Sequence, residues 1–215
     1  MPSREEYMEA LVKRHGKERQ SRFLGAGVAV CGLGGLGSNI AIALARAGVG
    51  RLHLIDFDYV DLSNVNRQQY MVSQIGKKKT DAMKEIIEAI NPYITVITDS
   101  VKLCENNLEE LLKEDIICEA FDLAEQNAML VNGVLEKFPE KYMVAASGMA
   151  GMAPANEITT RKITNHFFIC GDGKSDVDDG MGLVAARVMV CAAHQAHMVL
   201  RIIDGETSVP TRHYI

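Results

Sequence analysis

Tryptophan is absent from this 215-residue sequence, and cysteine is scarce and scattered. An odd number of cysteines without regular spacing argues against a disulfide framework and indicates reduced thiols in a cytosol. Because no two of them form a CxxC pair, the sequence also argues against a tetrahedral cysteine zinc site. The five cysteines are Cys31, Cys104, Cys118, Cys170 and Cys191.

Long apolar runs and an excess of basic charge are missing as well. No apolar segment approaches the roughly 18 residues that a membrane helix requires. The charged N-terminus, MPSREEYMEALVKRHGKERQ, lacks the apolar centre of a signal peptide. The formal net charge of −5 argues against non-specific nucleic-acid binding as the main task. These absences predict a cytoplasmic protein without a membrane or nucleic-acid partner.

What the sequence does contain is a regular alternation of apolar strands and helices. An amphipathic helix at 3–14 comes first. We predict strands at 28–31, 51–55, 93–98, 115–121 and 142–146, and helices at 36–47, 77–90, 107–113 and 124–138. This order predicts an α/β fold with a Rossmann-like, doubly wound, mostly parallel sheet and helices on both faces. Strands at 155–160 and 166–169, a loop and a final helix at 183–203 predict an irregular, partly antiparallel C-terminal part.

A glycine-rich segment, VCGLGGLGS, joins the first predicted strand to the helix that follows it. Gly32, Gly34 and Gly37 fit the pattern G-x-G-x-x-G in that context. The first glycine permits a tight turn, the second lets the backbone approach a phosphate, and the third lets the helix pack against the strand. The helix N-terminus then offers unpaired N–H groups and a partial positive charge to an anion.

The residues after the second strand indicate which nucleotide this loop binds. Asp56 has the spacing of an acid that binds a ribose, which alone would favour NAD. The polar segment that follows, DFDYVDLSNVNRQQY, contains Asn64 and Arg67, and Lys79 comes at the head of the next helix. A ribose site flanked by an arginine and a lysine favours a triphosphate over a hydride carrier.

Asp122 follows a later strand of the same predicted sheet. Ligands of open α/β sheets bind beyond the carboxyl ends of the strands, so Asp122 and Asp56 are expected to face one crevice. A carboxylate there could hold Mg²⁺, which usually binds proteins through one or two carboxylates together with phosphates.

The segment GLGGLGSNIAIALARAGVGRLHLIDFDYVDLSNVNRQ closely resembles the adenylation domain shared by ThiF, MoeB, HesA and the ubiquitin-activating enzymes. The chain is most similar to the short bacterial ThiF type. The resemblance implies an adenylyltransferase that uses ATP and Mg²⁺ to adenylate the C-terminal Gly-Gly carboxylate of a ubiquitin-like sulfur carrier protein, releasing pyrophosphate. A ThiS-like carrier of thiamine biosynthesis is the expected partner. The carboxylate is already ionised at neutral pH, so the reaction needs no general base.

The same resemblance implies roles for individual residues. Arg67 and Lys79 are expected to contact phosphates, and Asp122 to hold magnesium. The rest of the expected nucleotide site comprises Gly32, Gly34, Gly35, Gly37, Asp56, Asp58, Ser63, Asn64 and Leu123. Such enzymes are commonly homodimers in which an N-terminal arginine reaches the partner's site. Arg14 is the candidate, with Arg19 and Arg22 as alternatives.

The resemblance also divides the single predicted domain into parts. These are an N-terminal helical arm over 1–24, a nucleotide-binding core over 25–150, and carrier-binding strands, a crossover loop and a final helix over 151–215. Many relatives carry two CxxC pairs for a structural zinc, and their absence here predicts no zinc. Cys170 is the candidate for the cysteine that bonds covalently to the carrier in many relatives. The alternative is a small, partly buried strand residue.

Other functions remain open at this point. MoeB-like activation of the molybdopterin sulfur carrier uses the same chemistry. An NAD-dependent oxidoreductase would share the glycine loop and Asp56 but leave Arg67, Lys79 and Asp122 unexplained. A non-catalytic scaffold, or adenylation of a small molecule or of a tRNA base, are further alternatives.

Overall fold

The computed structural model describes residues 1–209, except for the side chains of Asp178 and Asp179. The strands are β1 Gly27–Cys31, β2 Arg51–Ile55, β3 Thr95–Asp99, β4 Ile116–Glu119, β5 Tyr142–Ala146, β6 Thr159–Lys162 and β7 Phe167–Gly171. They form one sheet in the order β3-β2-β1-β4-β5-β7-β6. Every pairing is parallel except that of β6 with β7. The predicted fold class is therefore confirmed, including the antiparallel part near the C-terminus.

Helices cover both faces of this sheet. They are α1 Arg4–His15, α2 Lys17–Gly25, α3 Gly35–Ala47, α4 Lys79–Ile90, α5 Leu108–Leu111, α6 Ala124–Lys137 and α7 Ala185–Ile203. Alternate residues of β1 point to opposite faces, as a strand requires. Val28 and Val30 join the core that contains α3, α4 and α7, and Ala29 and Cys31 join the core under α5 and α6. None of the helices within residues 1–209 combines the length and the apolar character that crossing a bilayer would demand.

The predicted strand at 115–121 is too long, because β4 ends at Glu119. The Glu119 carboxylate accepts a hydrogen bond from the backbone N–H of Phe121 (2.7 Å), and the chain turns there. Asp122 therefore lies in the turn before α6 and does not end the strand. The sequence alternation could not show this turn, since the residues of the segment are mostly apolar.

The predicted strand at 155–160 is wrong in its first half. Residues Ala155–Glu157 form a 3₁₀ turn, and β6 begins only at Thr159. The carbonyls just before this turn, of Ala153 and Pro154, accept hydrogen bonds from Arg187 and so do not join a sheet. The last two residues of β6 are charged and exposed, as is common for the edge strand of a sheet.

The N-terminal arm consists of two helices where the sequence predicted one. Helix α1 begins with a capping box in which Ser3 and Glu6 exchange side-chain to backbone hydrogen bonds. It ends at Gly16, whose φ of 85° suits glycine, and α2 follows directly. The C-terminal part predicted over 151–215 extends past the described residues, so its last six residues lie outside them.

A buried histidine on β2 lies between two acids. His53 Nε2 lies 2.7 Å from Asp99 Oδ2, and its Nδ1 lies 3.1 Å from Glu114 Oε2. Burial lowers the pKa of His53, but the hydrogen bonds to Glu114 and Asp99 outweigh it, so the net pKa is raised. Burial raises the pKa of Glu114, and the bond to His53 outweighs that effect, so its net pKa is lowered.

This cluster predicts a pH-dependent contribution to stability. Because the pKa of His53 is raised in the folded state, the protonated side chain stabilises the fold. This contribution is complete below the unfolded-state pKa of about 6.5 and is lost as the pH rises through the folded-state pKa. The difference in the free energy of unfolding between wild type and His53→Gln should therefore shrink between pH 6 and pH 9, measured by urea denaturation. In a Glu114→Gln background, the stability difference that His53 makes should vary less with pH. A difference that stays constant with pH would contradict the charged state of His53.

Candidate active site

A cavity of about 460 Å³ opens along the carboxyl edge of the sheet. This volume lies within the range of small-molecule sites. Its wall is built from the segments that follow β1, β2, β3, β4, β5 and β7, together with the start of α7. The carboxyl edge is where open α/β sheets bind ligands, so the observed position agrees with the sequence prediction. Most of the predicted site residues line it: Gly32, Gly34, Gly35, Asp56, Asp58, Arg67, Lys79, Asp122 and Leu123.

The glycine loop shows different reasons for its three motif glycines. Gly32 has a φ of +92°, and a Cβ there would lie 2.7 Å from the carbonyl oxygen of Ala120. Gly37 does not line the cavity, and its Cβ would lie 1.8 Å from the Gly32 carbonyl oxygen. A Cβ on Gly34 would meet no protein atom closer than 3.9 Å. Packing therefore explains Gly32 and Gly37, and the space beside Gly34 is open for a ligand.

Asp56 is held by the backbone on both sides. Its Oδ2 accepts the N–H of Leu33 at 2.6 Å, and its Oδ1 accepts the N–H of Asp58 at 2.7 Å. Burial raises the pKa of Asp56 more than the charge of Lys79 and these hydrogen bonds lower it. Each carboxylate oxygen keeps a further lone pair, which leaves capacity to accept hydrogen bonds from ribose hydroxyls.

Lys79 is the first residue of α4, and its side chain is buried. Its Nζ lies 2.8 Å from Oδ2 of Asp58, whose side chain is about half exposed (48%). The backbone N–H of Lys79 also donates to the carbonyl of Asp58. The structure thus brings both predicted residues into the cavity as an ion pair. A bound phosphate would compete with Asp58 for the ammonium group.

Arg67 reaches the cavity, whereas two of its predicted neighbours do not. Arg67 Nη1 donates to Asn66 Oδ1 at 3.1 Å, and its aliphatic stem lies beside Gly35. Ser63 bonds to Asp61, and Asn64 Oδ1 accepts from Gln68 Nε2 at 2.6 Å. Ser63 and Asn64 lie outside the cavity lining.

Gln68 lines the cavity and carries an unpaired acceptor. The residue is buried, its amide nitrogen is engaged by Asn64, and its Oε1 has no partner among the described residues. An unpaired buried oxygen costs free energy unless a ligand or water satisfies it. Asn64 therefore orients a side chain that lines the cavity. The sequence places Gln68 in the polar motif but did not assign it a role.

Asp122 presents a carboxylate at the open side of the cavity. It is exposed, and within residues 1–209 it makes no hydrogen bond or ion pair. No group of three or more potential metal-ligating side chains occurs among the described residues. A divalent ion would therefore need phosphate oxygens as further ligands, which is the usual mode for Mg²⁺. The residues fit Mg²⁺ bound together with a nucleotide.

Glu119 supports the turn that carries Asp122. This role was not predicted from the sequence. Glu119 is buried at the end of β4, and burial raises its pKa to about 8. With its amide nitrogen facing Glu119, Asn127 donates to both carboxylate oxygens. Glu119 thus joins the end of β4 to the first turn of α6. An acid at the end of an apolar strand is the only sequence signal for this role.

The predicted arginines of the arm lie away from the cavity of their own chain. Arg14 is exposed on α1, and α1 contacts the C-terminal end of α4, where Tyr7 donates to the carbonyl of Ile90. Arg19 and Arg22 instead bind Asp204, at 2.7 and 2.6 Å. An arginine of the arm could serve an active site only in a partner subunit.

Cys170 is a core residue at the end of β7. It is fully buried, with its Sγ 3.4 Å from the hydroxyl of Thr160. Burial raises the pKa of its thiol to about 11, so the nucleophilic thiolate is not populated at neutral pH. In this conformation Cys170 is a strand residue, as in the alternative, but it is fully rather than partly buried.

Comparison with known proteins places this geometry in a family. The ThiF family model matches residues 7–215. The tRNA threonylcarbamoyladenosine dehydratase of Bacillus subtilis is 43% identical over 110 residues, which cover 50% of this chain and 43% of that protein. The sulfur carrier protein adenylyltransferase of Thermus thermophilus is 31% identical over 140 residues, covering 64% of this chain and 46% of that protein.

A solved structure agrees with the fold. The E. coli tRNA N6-threonylcarbamoyladenosine dehydratase in complex with ATP aligns with a TM-score of 0.83 at 21% identity, covering 93% of this chain and 94% of that chain. The alignments with the two curated relatives span less than half of each relative's length. The match over residues 7–215 nevertheless covers nearly the whole chain, and the protein belongs to the ThiF family.

Proposed function

We propose that the protein catalyses ATP-dependent adenylation of the C-terminal Gly-Gly carboxylate of a ubiquitin-like sulfur carrier protein, and that the carrier is the ThiS-like one of thiamine biosynthesis. The supporting observation is the composition of the cavity. A glycine loop with open space at Gly34, a ribose-type acid at Asp56, two cations and the unpaired carboxylate of Asp122 line one cleft. Family membership and the sulfur carrier adenylyltransferase among the relatives support the same activity.

The reaction requires positioning more than proton transfer. A C-terminal carboxylate has a pKa of about 3.3–3.7 and attacks as an anion without a general base. One of its oxygens forms a bond to the α-phosphorus of ATP while the bond to pyrophosphate breaks. ATP bound with Mg²⁺ supplies the electrophile and the leaving group. The task of the chain is to hold two repelling anions in line and to stabilise the charge that develops on pyrophosphate.

The residues predicted for the nucleotide site have distinct roles in this scheme. The N–H groups at the start of α3 face the phosphates, with Gly34 and Gly35 allowing close approach. Asp56 accepts from the ribose, Lys79 and Arg67 stabilise phosphate charge, and Asp122 binds magnesium. In the proposed homodimer, Arg14 reaches the partner's site. Covalent capture of the carrier by Cys170 would require β7 to open, since the thiol is buried.

A tRNA substrate is the second candidate. The observation in its favour is the tRNA threonylcarbamoyladenosine dehydratase of Bacillus subtilis, which is 43% identical to half of this chain. The net charge of −5 disfavours a polyanionic substrate, because phosphate contacts rely on excess lysine and arginine. MoeB-like activation of the molybdopterin carrier uses the same cavity chemistry.

Carrier-dependent ATP–pyrophosphate exchange tests these candidates together. The thiamine-type carrier, the molybdopterin-type carrier and bulk tRNA are supplied in parallel, and we expect exchange with the thiamine-type carrier. Asp122→Ala should reduce it by about 100-fold or more. Glu125→Ala, at an exposed position in the first turn of α6 and outside the cavity lining, is the matched control. Exchange only with tRNA, or with neither carrier, would overturn the carrier proposal.

Ligand protection against heat supplies an independent check. ATP with magnesium should raise the midpoint of thermal unfolding, because a ligand that binds only the folded state stabilises it. NAD at the same concentration should leave the midpoint unchanged. Protection by NAD but not by ATP would instead favour an oxidoreductase.

A further inference from the structure

A buried ion pair lies behind one wall of the cavity. Arg187 Nη2 is 2.5 Å from Asp172 Oδ2, and the two side chains are only 5% and 3% exposed. Asp172 follows β7 and Arg187 lies in the first turn of α7. Neither residue lines the cavity. Breaking a buried pair leaves an uncompensated charge, so such a pair strongly constrains the segments that carry it.

Arg187 binds a second segment through backbone carbonyls. Its Nε donates to the carbonyl of Ala150 at 3.1 Å. Its Nη1 donates to the carbonyl of Pro154 at 2.9 Å and also to that of Ala153. One planar guanidinium group thus fixes both ends of the segment 150–154, because its donors are held in a rigid fork.

Asp172 binds the segment on the other side of the pair. Its Oδ1 accepts the N–H groups of Lys174 (2.8 Å) and Ser175 (2.9 Å). The Ser175 hydroxyl donates to Asp172 Oδ2 and accepts the N–H of Ala150 at 3.0 Å. Burial raises the pKa of Asp172, but the hydrogen bonds of Ser175, Lys174 and Arg187 outweigh it and lower the pKa to about 2.

Residues 147–150 and 175–177 form one part of the cavity wall, here named the β5–β7 wall, and the ion pair holds it at Ala150 and Ser175. The glycine loop and Asp56 follow β1 and β2. Four strand spacings separate β2 from β7 in the sheet order, a distance of about 19 Å. The ion pair therefore acts on the β5–β7 side of the cavity, whereas the ribose-type acid Asp56 lies on the β2 side.

We propose that Asp172 and Arg187 are positioning residues for the acceptor: they hold the β5–β7 wall in the form that receives the carboxylate-bearing tail of the protein to be adenylated. This inference rests on the proposed function. Gly148 packs directly against Asp172, whose Oδ1 would lie 2.0 Å from a Cβ at that position, so the wall presents bare backbone to the cavity there. A bare backbone surface suits an extended Gly-Gly tail. Met149 adds an adaptable apolar surface beside it.

The test measures acceptor and nucleotide binding separately in Asp172→Asn and Arg187→Lys. In carrier-dependent exchange with the thiamine-type Gly-Gly carrier, we expect the KM for the carrier to rise by about tenfold or more in both variants. The Kd for ATP, measured by calorimetry without carrier, should change by less than about twofold. Arg187→Lys retains the charge and serves as the second variant if Asp172→Asn does not fold.

Glu114→Gln is the matched control for lost stability. Glu114 is also a buried acid in an ion pair, but it lies outside the cavity lining. The Glu114→Gln substitution should lower the free energy of unfolding without raising the KM for the carrier. An unchanged carrier KM in both variants, a parallel loss of ATP affinity, or an equal KM increase in Glu114→Gln would overturn the positioning role. Absence of exchange in the wild type would overturn the proposed function and the acceptor assigned here with it.

Discussion

Replacing Lys79 with methionine is expected to slow ATP–pyrophosphate exchange by about 100- to 1,000-fold, the usual loss when one charge-stabilising donor is removed. Methionine has a similar length and apolar stem but no charge. The partner of Lys79, Asp58, is half exposed, so its carboxylate can be solvated after the change. The free energy of unfolding should therefore change little, and the rate loss can be assigned to missing phosphate stabilisation.

Lys77→Met is the control for this experiment. Lys77 lies two residues earlier, is exposed, and pairs with Glu85 on the surface at 2.6 Å. Surface pairs of this kind contribute about 0–1 kcal/mol, so both exchange and stability should stay near wild type. Equal rate losses in the two variants would mean that a diffuse positive surface acts on the nucleotide. An unaffected Lys79→Met would remove Lys79 from the proposed mechanism.

The parts of the fold that could be predicted are those in which local pattern and global packing agree. Buried parallel strands read as short apolar runs, and their alternation with helices gave the doubly wound sheet. The glycine loop and Asp56 were predictable for the same reason, because a strand–loop–helix unit brings them to one sheet edge. The observed hydrogen bond from Leu33 to Asp56 joins the two parts of that motif.

The parts that could not be predicted depend on pairs that are distant in the sequence. Helix α2 carries few apolar residues. Its two arginines bind Asp204, which directly follows α7. The turn at residues Ala155–Glu157 follows carbonyls that are bound by Arg187. A periodicity argument has no access to such tertiary hydrogen bonds, so it extended the strand through them.

The candidate site divides in the same way. For the nucleotide site, the sequence identified mostly residues that contact the cavity directly, with Gly37, Ser63 and Asn64 as the predicted members that lie outside it. It did not identify the residues that hold the others in place, such as Glu119 and Arg187. Supporting residues are recognisable only by burial and hydrogen-bond partners, which appear once the strands and loops are assembled.

Gly37→Ala is expected to destabilise the protein by about 3 kcal/mol or more. In most helices this substitution stabilises by up to about 1 kcal/mol, since alanine is the better helix former. At position 37 the new Cβ would lie 1.8 Å from the Gly32 carbonyl oxygen and 3.3 Å from the Cβ of Ala120. The carbonyl belongs to the turn of the glycine loop and cannot retreat without moving β1 from α3. Urea denaturation of the purified variant measures the loss.

Two other helical glycines calibrate this expectation. A Cβ on Gly25, at the end of α2, meets nothing within 4 Å, so Gly25→Ala should be neutral or slightly stabilising. A Cβ on Gly133, in α6, meets only the end of the Leu108 side chain, at 2.4 Å. That methyl group can move, so Gly133→Ala should give an intermediate loss. The loss of stability should therefore increase from Gly25 to Gly133 to Gly37. The new Cβ meets no atom at the first position, a side-chain atom at the second and a backbone atom at the third. Equal stability of Gly37→Ala and Gly25→Ala would show that the glycine loop is not held rigidly, and close packing would then no longer explain the third glycine of the motif.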